Sequence, residues 1–199
     1  MRSELSDPWV ERMKDLQALS AAALCVACLA GCAATDVLGE RITQVDVLSA
    51  YSPNTFGAFA ASGPLVELQG PIPGGASPQE VAAALRMPGF WPDAPFTAVA
   101  QGEAPEMQRI VIGFGAATAA NAMLVCDGRP ASGGVADSLQ ANVVYCMGRR
   151  AASSAHLSRS DLATPADPAF GDAFARVFLQ IAPRRDPERD DDCRIRLCL

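Results

Sequence analysis

Three short segments of almost uninterrupted apolar residues constrain the fold of this chain more than any other feature. The segments are RIVIGF within Gln108–Phe114, AMLVC at Ala122–Cys126 and NVVYC within 141–147. Apolar runs of this length are typical of central strands that are covered on both faces. We therefore expect the three segments to lie side by side in the middle of one sheet.

Two further segments carry clear helix signals. The sequence SPQE at 77–80 has an N-cap serine, a proline at the first helical position and the glutamate of a capping box, which predicts a helix from Pro78 to about Met87. The segment Pro168–Ile181 follows an Asp-Pro start and repeats apolar residues at helical spacing. Each helix is therefore expected to pack an apolar face against the sheet.

Strand-like and loop-like segments complete the pattern. The strand-like segments are 42–48, 64–69 and a short one near 96–100. The connections include a Pro-, Asn- and Gly-rich stretch at 51–63 and a loop at 149–166. Strands grouped together with two flanking helices predict an α+β fold, a two-layer sandwich with a mostly antiparallel sheet and both helices on one face. We expect a single globular domain at 42–182, followed by a charged C-terminal tail at 183–199.

The N-terminal region has the features of an export signal. Residues 18–31 are uncharged; the run is shorter than the roughly 20 residues of a spanning helix, but it fits the apolar region of a secretory signal. The residues before Met13 include three acidic side chains, whereas the start of a signal is normally positive. A start at Met13 would place Lys14 there, so we expect a signal peptide at 1–31 whose true start is Met13.

The apolar run ends in LAGC at 29–32, which resembles the lipobox of bacterial lipoproteins. The resemblance implies that diacylglycerol is attached to the Cys32 thiol and that the leader is then removed. Two or more acyl chains anchor a protein stably, so the membrane is an expected partner and 32–41 an expected lipidated tether. The implied location is the cell membrane or the outer membrane, facing the periplasm. An alanine at position 33, where an aspartate would resemble an inner-membrane signal, favours the outer membrane.

Four cysteines remain once the leader and Cys32 are set aside, and they are Cys126, Cys146, Cys193 and Cys198. An exported chain meets an oxidising space, which favours disulfides, and four cysteines allow three pairings. We expect Cys126 to pair with Cys146, because AMLVC and NVVYC would end side by side as neighbouring strands. We expect Cys193 to pair with Cys198 and to tie down the tail.

These cysteines could also form a zinc site or a redox pair. Zinc sites favour closely spaced cysteines and histidines, whereas this spacing is C-x19-C and C-x4-C, so no metal or other cofactor is expected. A redox protein would instead have a labile Cys126–Cys146 bond, and this alternative stays open.

Catalytic groups are few in the sequence. His156 is the one histidine, and it falls in the connection 149–166, where we expect a solvent-facing side chain rather than a catalytic one. A hydrolase built on paired carboxylates needs no histidine, and its candidate residues are Asp46, Glu67 and Asp127. The leading hypothesis assigns no catalytic residue.

The net charge of -6 argues against a nucleic-acid partner. Phe90, Trp91 and Phe96 lie between Pro- and Gly-containing turns. We expect these aromatic side chains to cap the core, and the alternative is that they form an interface with a partner. The stretch 143–170 resembles small alphaproteobacterial proteins with a cysteine-bearing strand, an arginine-rich loop and an Asp-Pro helix in this order, and this resemblance implies no activity. We therefore expect a lipid-anchored envelope protein that binds or scaffolds, with another envelope protein as partner; the hydrolase is the alternative.

Overall fold

The computed structural model describes residues 39–115, 121–129, 138–160 and 164–185. Within these residues the chain forms one six-stranded sheet and four α-helices. The strands are β1 Glu40–Val47, β2 Leu65–Gln69, β3 Thr97–Val99, β4 Gln108–Phe114, β5 Leu139–Met147 and β6 Arg150–Arg159. The helices are α1 Pro53–Ala61, α2 Pro78–Ala84, α3 Ala122–Cys126 and α4 Pro168–Ile181.

The strands follow the order β1-β6-β5-β4-β2-β3 across the sheet. The first four strands in this order pair antiparallel, whereas β2 pairs parallel with both β4 and β3. The predicted α+β class is confirmed. The sheet is mixed, so the expected antiparallel pairing holds for one part of it. The parallel part arises because the chain between β2 and β3 contains α2 and returns in the same direction.

Three helices, α1, α2 and α4, cover one face of the sheet and build the main hydrophobic core. Its buried aromatic side chains are Tyr51, Phe56, Phe59, Phe96, Phe114, Tyr145, Phe170, Phe174 and Phe178. Helix α1 was not expected, because the Pro-, Asn- and Gly-rich stretch 51–63 was interpreted as a connection between strands. Pro53 begins this helix as proline does in α2 and α4, and Phe56 and Phe59 enter the core.

The fourth helix, α3, packs on the opposite face, which we call the second face. Its sequence AMLVC was expected to be a central strand, and this prediction is wrong. The side chain of Asn121 accepts a hydrogen bond from the Met123 amide and caps a short helix. Val125 and Cys126 then pack against β4 and β5. An apolar run of five residues suits a buried helix as well as a strand, so its pattern did not separate the two.

Strand β6 replaces the expected connection at 149–166. The two-residue turn Gly148-Arg149 joins β5 to β6, and Gly148 has a φ of 62°, which favours glycine. Small residues dominate the strand, so its sequence gives a weak β signal. His156 therefore lies in an interior strand with 7% of its surface exposed, and the expectation of a solvent-facing histidine is wrong.

The ends of the described chain bear on several expectations. Strand β1 begins at Glu40, inside the expected tether 32–41, and the Glu40 carboxylate accepts hydrogen bonds from Arg159 and Arg176. The predicted starts of α2 and α4 and the capping box of α2 are confirmed, although α2 ends at Ala84. The signal peptide, Cys32, Cys193, Cys198 and the last part of the tail lie outside the described residues.

Candidate functional site

The second face of the sheet carries most of the buried polar side chains, and it is therefore the candidate site. Those side chains are Glu67, Gln69, Arg109, Asn142 and His156. Their position follows from strand alternation, because their sequence neighbours point into the helix-covered core. Register places Gln69, Gly113, Asn142 and His156 in one row across four strands.

Arg109 is the centre of the first polar cluster, and its side chain is fully buried. Its Nε donates to Glu67 Oε2 at 2.9 Å. Its two terminal nitrogens donate to the carbonyl oxygens of Pro105 and Gly148, each at 3.0 Å, and of Cys126, at 2.9 Å. A planar guanidinium suits such a set of fixed acceptors. One side chain thereby connects β2, the loop before β4, the β5–β6 turn and α3.

Glu67 is the acidic partner in this cluster and is also fully buried. Its second carboxylate oxygen accepts a hydrogen bond from Gln69 Nε2 at 2.8 Å. A buried carboxylate is tolerated when it is paired and hydrogen-bonded, as it is here. Glu67 therefore serves the packing of β2 against β4, since both of its oxygens are occupied by side chains of the sheet.

The Cys126–Cys146 disulfide lies beside this cluster. The two Cα atoms are 5.6 Å apart, which is within the usual range for a disulfide. The pairing is the one expected from the sequence, but it joins the end of α3 to β5 rather than two neighbouring strands. Both cysteines are fully buried. The bond also fixes the carbonyl of Cys126, which accepts from Arg109.

A second, exposed set of ion pairs surrounds the same end of the sheet. Arg149, in the β5–β6 turn, donates to Glu106 Oε1 at 2.7 Å and to Asp127 Oδ1 at 3.0 Å. These two carboxylates raise the pKa of Arg149 above its usual value. All three side chains are more than 40% exposed, so water screens both pairs strongly.

The second polar cluster contains His156 and Asn142, which lie opposite each other on β6 and β5. The Nδ1 atom of His156 is 2.9 Å from Asn142 Oδ1. Because a carbonyl oxygen accepts, Nδ1 is the donor, and the neutral ring carries its lone pair on Nε2. Burial lowers the pKa of His156 below its usual value. The ring is therefore neutral near pH 7 and is held in one orientation.

The three carboxylates named for a hydrolase do not form a pair. Asp46 and Glu67 share a row of the second face but lie four strand spacings apart, or about 19 Å. That separation exceeds the roughly 5–9.5 Å of paired glycosidase carboxylates. Asp127 is 45% exposed and bound to Arg149, whereas Glu67 is buried and bound to Arg109.

The three aromatic residues named as an interface lie in different environments. Phe96 is buried and stacks on Phe178 with 5.6 Å between ring centroids. Trp91 is half-buried and donates from Nε1 to the carbonyl of Ala182 at 2.9 Å. Phe90 is 38% exposed and lies under the guanidinium of Arg184. Phe90 is thus the residue of the three that offers a surface.

A cleft of the described structure lies away from these polar clusters. It has a volume of about 670 Å³, lies between α2 and the start of α4 and is lined largely by Gly, Ala and Pro residues. Its charged lining residues are Glu80, Arg86 and Asp167. Glu80 and Asp167 are engaged in capping α2 and α4. None of the residues selected from the sequence lines this cleft.

Among the described residues, no helix is both long enough and apolar enough to span a bilayer, and no group of three or more His, Cys, Asp or Glu side chains is arranged to hold a metal ion. No protein family matches the chain, and no curated protein or solved structure is significantly similar to it.

Sequence reasoning missed Arg109 and the Asn142–His156 pair. A signal for Arg109 was present, since it is a lone charge beside the apolar residues of a buried strand and therefore needs a buried partner. Glu67 is likewise a lone charge beside the apolar residues of β2. His156 was missed because β6 was not recognised as a strand, and its partner Asn142 lies in a strand that was expected to be apolar.

Proposed function

We propose that this chain is a lipid-anchored protein of the bacterial cell envelope, attached through Cys32, that acts by binding or scaffolding rather than by catalysis. The observation that carries the proposal is the Cys126–Cys146 disulfide. Disulfides form and persist in oxidising spaces and are rare in the bacterial cytosol. An export signal ending in a lipobox cysteine provides a route to such a space.

The bonding of the polar side chains supports a non-catalytic role. Glu67 and Arg109 satisfy each other in the interior, and Asp127 is paired with Arg149. Groups that are already paired in this way hold segments of the chain together. The proposed partner is another envelope protein, and the exposed ring of Phe90 is the aromatic contact that we assign to it.

Labelling and fractionation test the anchor. Cells expressing the full chain are fed a radiolabelled fatty acid and then separated into membrane and soluble fractions. We expect the wild-type chain to incorporate label and to sediment with membranes. Cys32→Ser removes the acceptor thiol and is expected to abolish labelling, whereas Cys28→Ser, four residues earlier in the same leader, is the matched control and is expected to keep it. Wild-type protein found wholly unlabelled in the cytosol would refute the proposal.

Reduction under native conditions tests the role of the disulfide. Both sulfur atoms belong to fully buried residues, so a soluble reductant reaches them only when the structure opens. We expect the bond to resist mild dithiothreitol in the folded protein and to be reduced in urea, as followed by thiol alkylation and mass spectrometry. Ready reduction of the folded protein would favour the redox alternative instead.

A further inference from the structure

The cleft between α2 and the start of α4 is a cavity that the proposed function does not use. Its volume of about 670 Å³ lies within the range of small-molecule sites. Glycine, alanine and proline form most of its walls. Because these side chains are short, the cleft suits a ligand with a small apolar body. Selectivity then has to come from the few charged groups that line it.

Gly171 allows the end of α2 to approach the start of α4 closely. A β-carbon at position 171 would lie 2.5 Å from the carbonyl oxygen of Ala84 and 3.4 Å from Arg86 Nε. The first distance is too short for any larger residue unless the backbone moves, so glycine is needed here. The second distance shows that the Arg86 side chain lies beside α4, where it lines the cleft.

Arg86 carries a positive charge that no side chain of the protein neutralises. Its side chain is exposed, and within the described residues it forms no ion pair and no hydrogen bond. The two carboxylates that line the same cleft, Glu80 and Asp167, are therefore too far away to pair with it. A guanidinium whose donors are all free is suited to bind a carboxylate through two parallel hydrogen bonds.

Glu80 and Asp167 supply the negative charge of the cleft, and each uses one oxygen in capping its helix. Ser77 donates from its amide and its hydroxyl to Glu80 Oε2, and the Ala169 amide donates to Asp167 Oδ1. Within the described residues, nothing donates to Glu80 Oε1 or to Asp167 Oδ2. The hydrogen bonds from Ser77 lower the pKa of Glu80, so this carboxylate is ionised near neutral pH. The two free oxygens can accept from an ammonium group.

The charges of the cleft select the class of ligand. A ligand with anionic groups alone would meet the two carboxylates, and a ligand with cationic groups alone would meet the guanidinium. A small molecule with a carboxylate at one end and an ammonium group at the other matches both signs. We propose that this cleft binds a zwitterionic short peptide, whose carboxylate is bound by Arg86 and whose ammonium group is bound by Glu80 and Asp167. The site does not depend on the lipid anchor, so it stands or falls separately from the proposed function.

Three forms of one dipeptide test the proposal. The purified full-length chain is titrated calorimetrically with dialanine, with N-acetyl-dialanine, which lacks the ammonium group, and with dialanine amide, which lacks the carboxylate. We expect dialanine to bind with a Kd of about 1 mM or below. Each blocked form should bind about three- to fivefold more weakly, as for one charge pair in a cleft that is open to water. No binding of dialanine, or equal binding of all three forms, overturns the proposal.

Two arginine variants identify the group that binds the carboxylate. Arg86→Gln removes a cation without a partner in the described protein, so the urea midpoint should not change. We expect it to weaken dialanine binding about three- to fivefold and to leave the binding of dialanine amide unchanged. Arg41→Gln removes another exposed arginine without a described partner, on β1 and outside the cleft, and should leave both affinities unchanged. If Arg86→Gln bound dialanine as the wild type does, or lost affinity equally for both ligands, the proposal would be overturned.

Discussion

The two faces of β4 are held in place by different means. On one side Ile110, Ile112 and Phe114 pack against the three helices of the main core. On the other side Arg109 is held by the Glu67 carboxylate and four backbone carbonyls, those of Pro105, Met107, Gly148 and Cys126. A buried apolar side chain can be replaced by one of similar volume at a small cost in stability. Removing one partner of a buried charge is strongly destabilising, because the charge is left uncompensated. The helix-covered face should therefore accept conservative changes that the second face does not.

The largest effect is expected from removing the buried cation. Arg109→Met keeps much of the side-chain volume but leaves the Glu67 carboxyl group without its cation in the interior. We expect a loss of about 3–5 kcal/mol in the free energy of unfolding, measured by urea denaturation. The double variant Glu67→Leu/Arg109→Met removes both charges and should recover a large part of that loss. A double variant less stable than Arg109→Met would show that the ion pair is not the main contribution.

The next largest effect is expected from the disulfide of the second face. Replacing both cysteines, as Cys126→Ala/Cys146→Ala, opens a loop with a sequence separation of 20 residues. The chain-entropy model gives a loss of about 3 kcal/mol, which a shift of the urea midpoint would measure. Chemical reduction of the wild type should give the same loss. Agreement between the two would exclude a packing effect of the alanines themselves.

A smaller effect is expected on the opposite face of the same strand. Ile112 is fully buried in the main core, three residues after Arg109. Ile112→Leu conserves volume, so we expect a loss below about 1.5 kcal/mol by the same urea measurement. If Ile112→Leu destabilised the protein as much as Arg109→Met, the contrast between the two faces would not hold.

The smallest effect is expected from pH. The pKa of His156 is lowered in the folded state by burial, so the unfolded chain binds the proton more tightly. The contribution of His156 to stability is therefore complete above the unfolded pKa, near 6.5, and is lost as the pH falls through the lower folded value. Urea midpoints at several pH values between neutral and mildly acidic should show this decline. His156→Gln should show less of it, and an identical decline would assign the effect to other groups.

Sequence patterns predicted the parts of the fold that rest on local signals. The proline starts of α2 and α4 and the apolar strands β4 and β5 depend on neighbouring residues, and each was anticipated. Helix α3 and strand β6 depend on tertiary contacts: α3 is held over β4 and β5, and β6 lies between β1 and β5. Their local propensities are weak or ambiguous, so tertiary context decided their structure.

The candidate site was harder to predict than the fold, because it depends even more on tertiary contacts. The pairing of Cys126 with Cys146 was anticipated, but from a strand pairing of AMLVC with NVVYC, and the first of these segments is helix α3. The Arg109 cluster combines groups at positions 67, 105, 107, 126 and 148, and the His156–Asn142 pair joins two strands. Such combinations follow from strand order and register, which a single sequence does not specify.

The partners of Arg109 also bear on the kinetics of folding. Its acceptors are separated from it by as many as 42 residues, and each comes from a different segment. The guanidinium loses its water fully only after those segments have met, so this step belongs late in refolding. The covalent link between Cys126 and Cys146 brings one acceptor close before that step. A chain oxidised before it collapses should consequently refold faster than one whose thiols are still free.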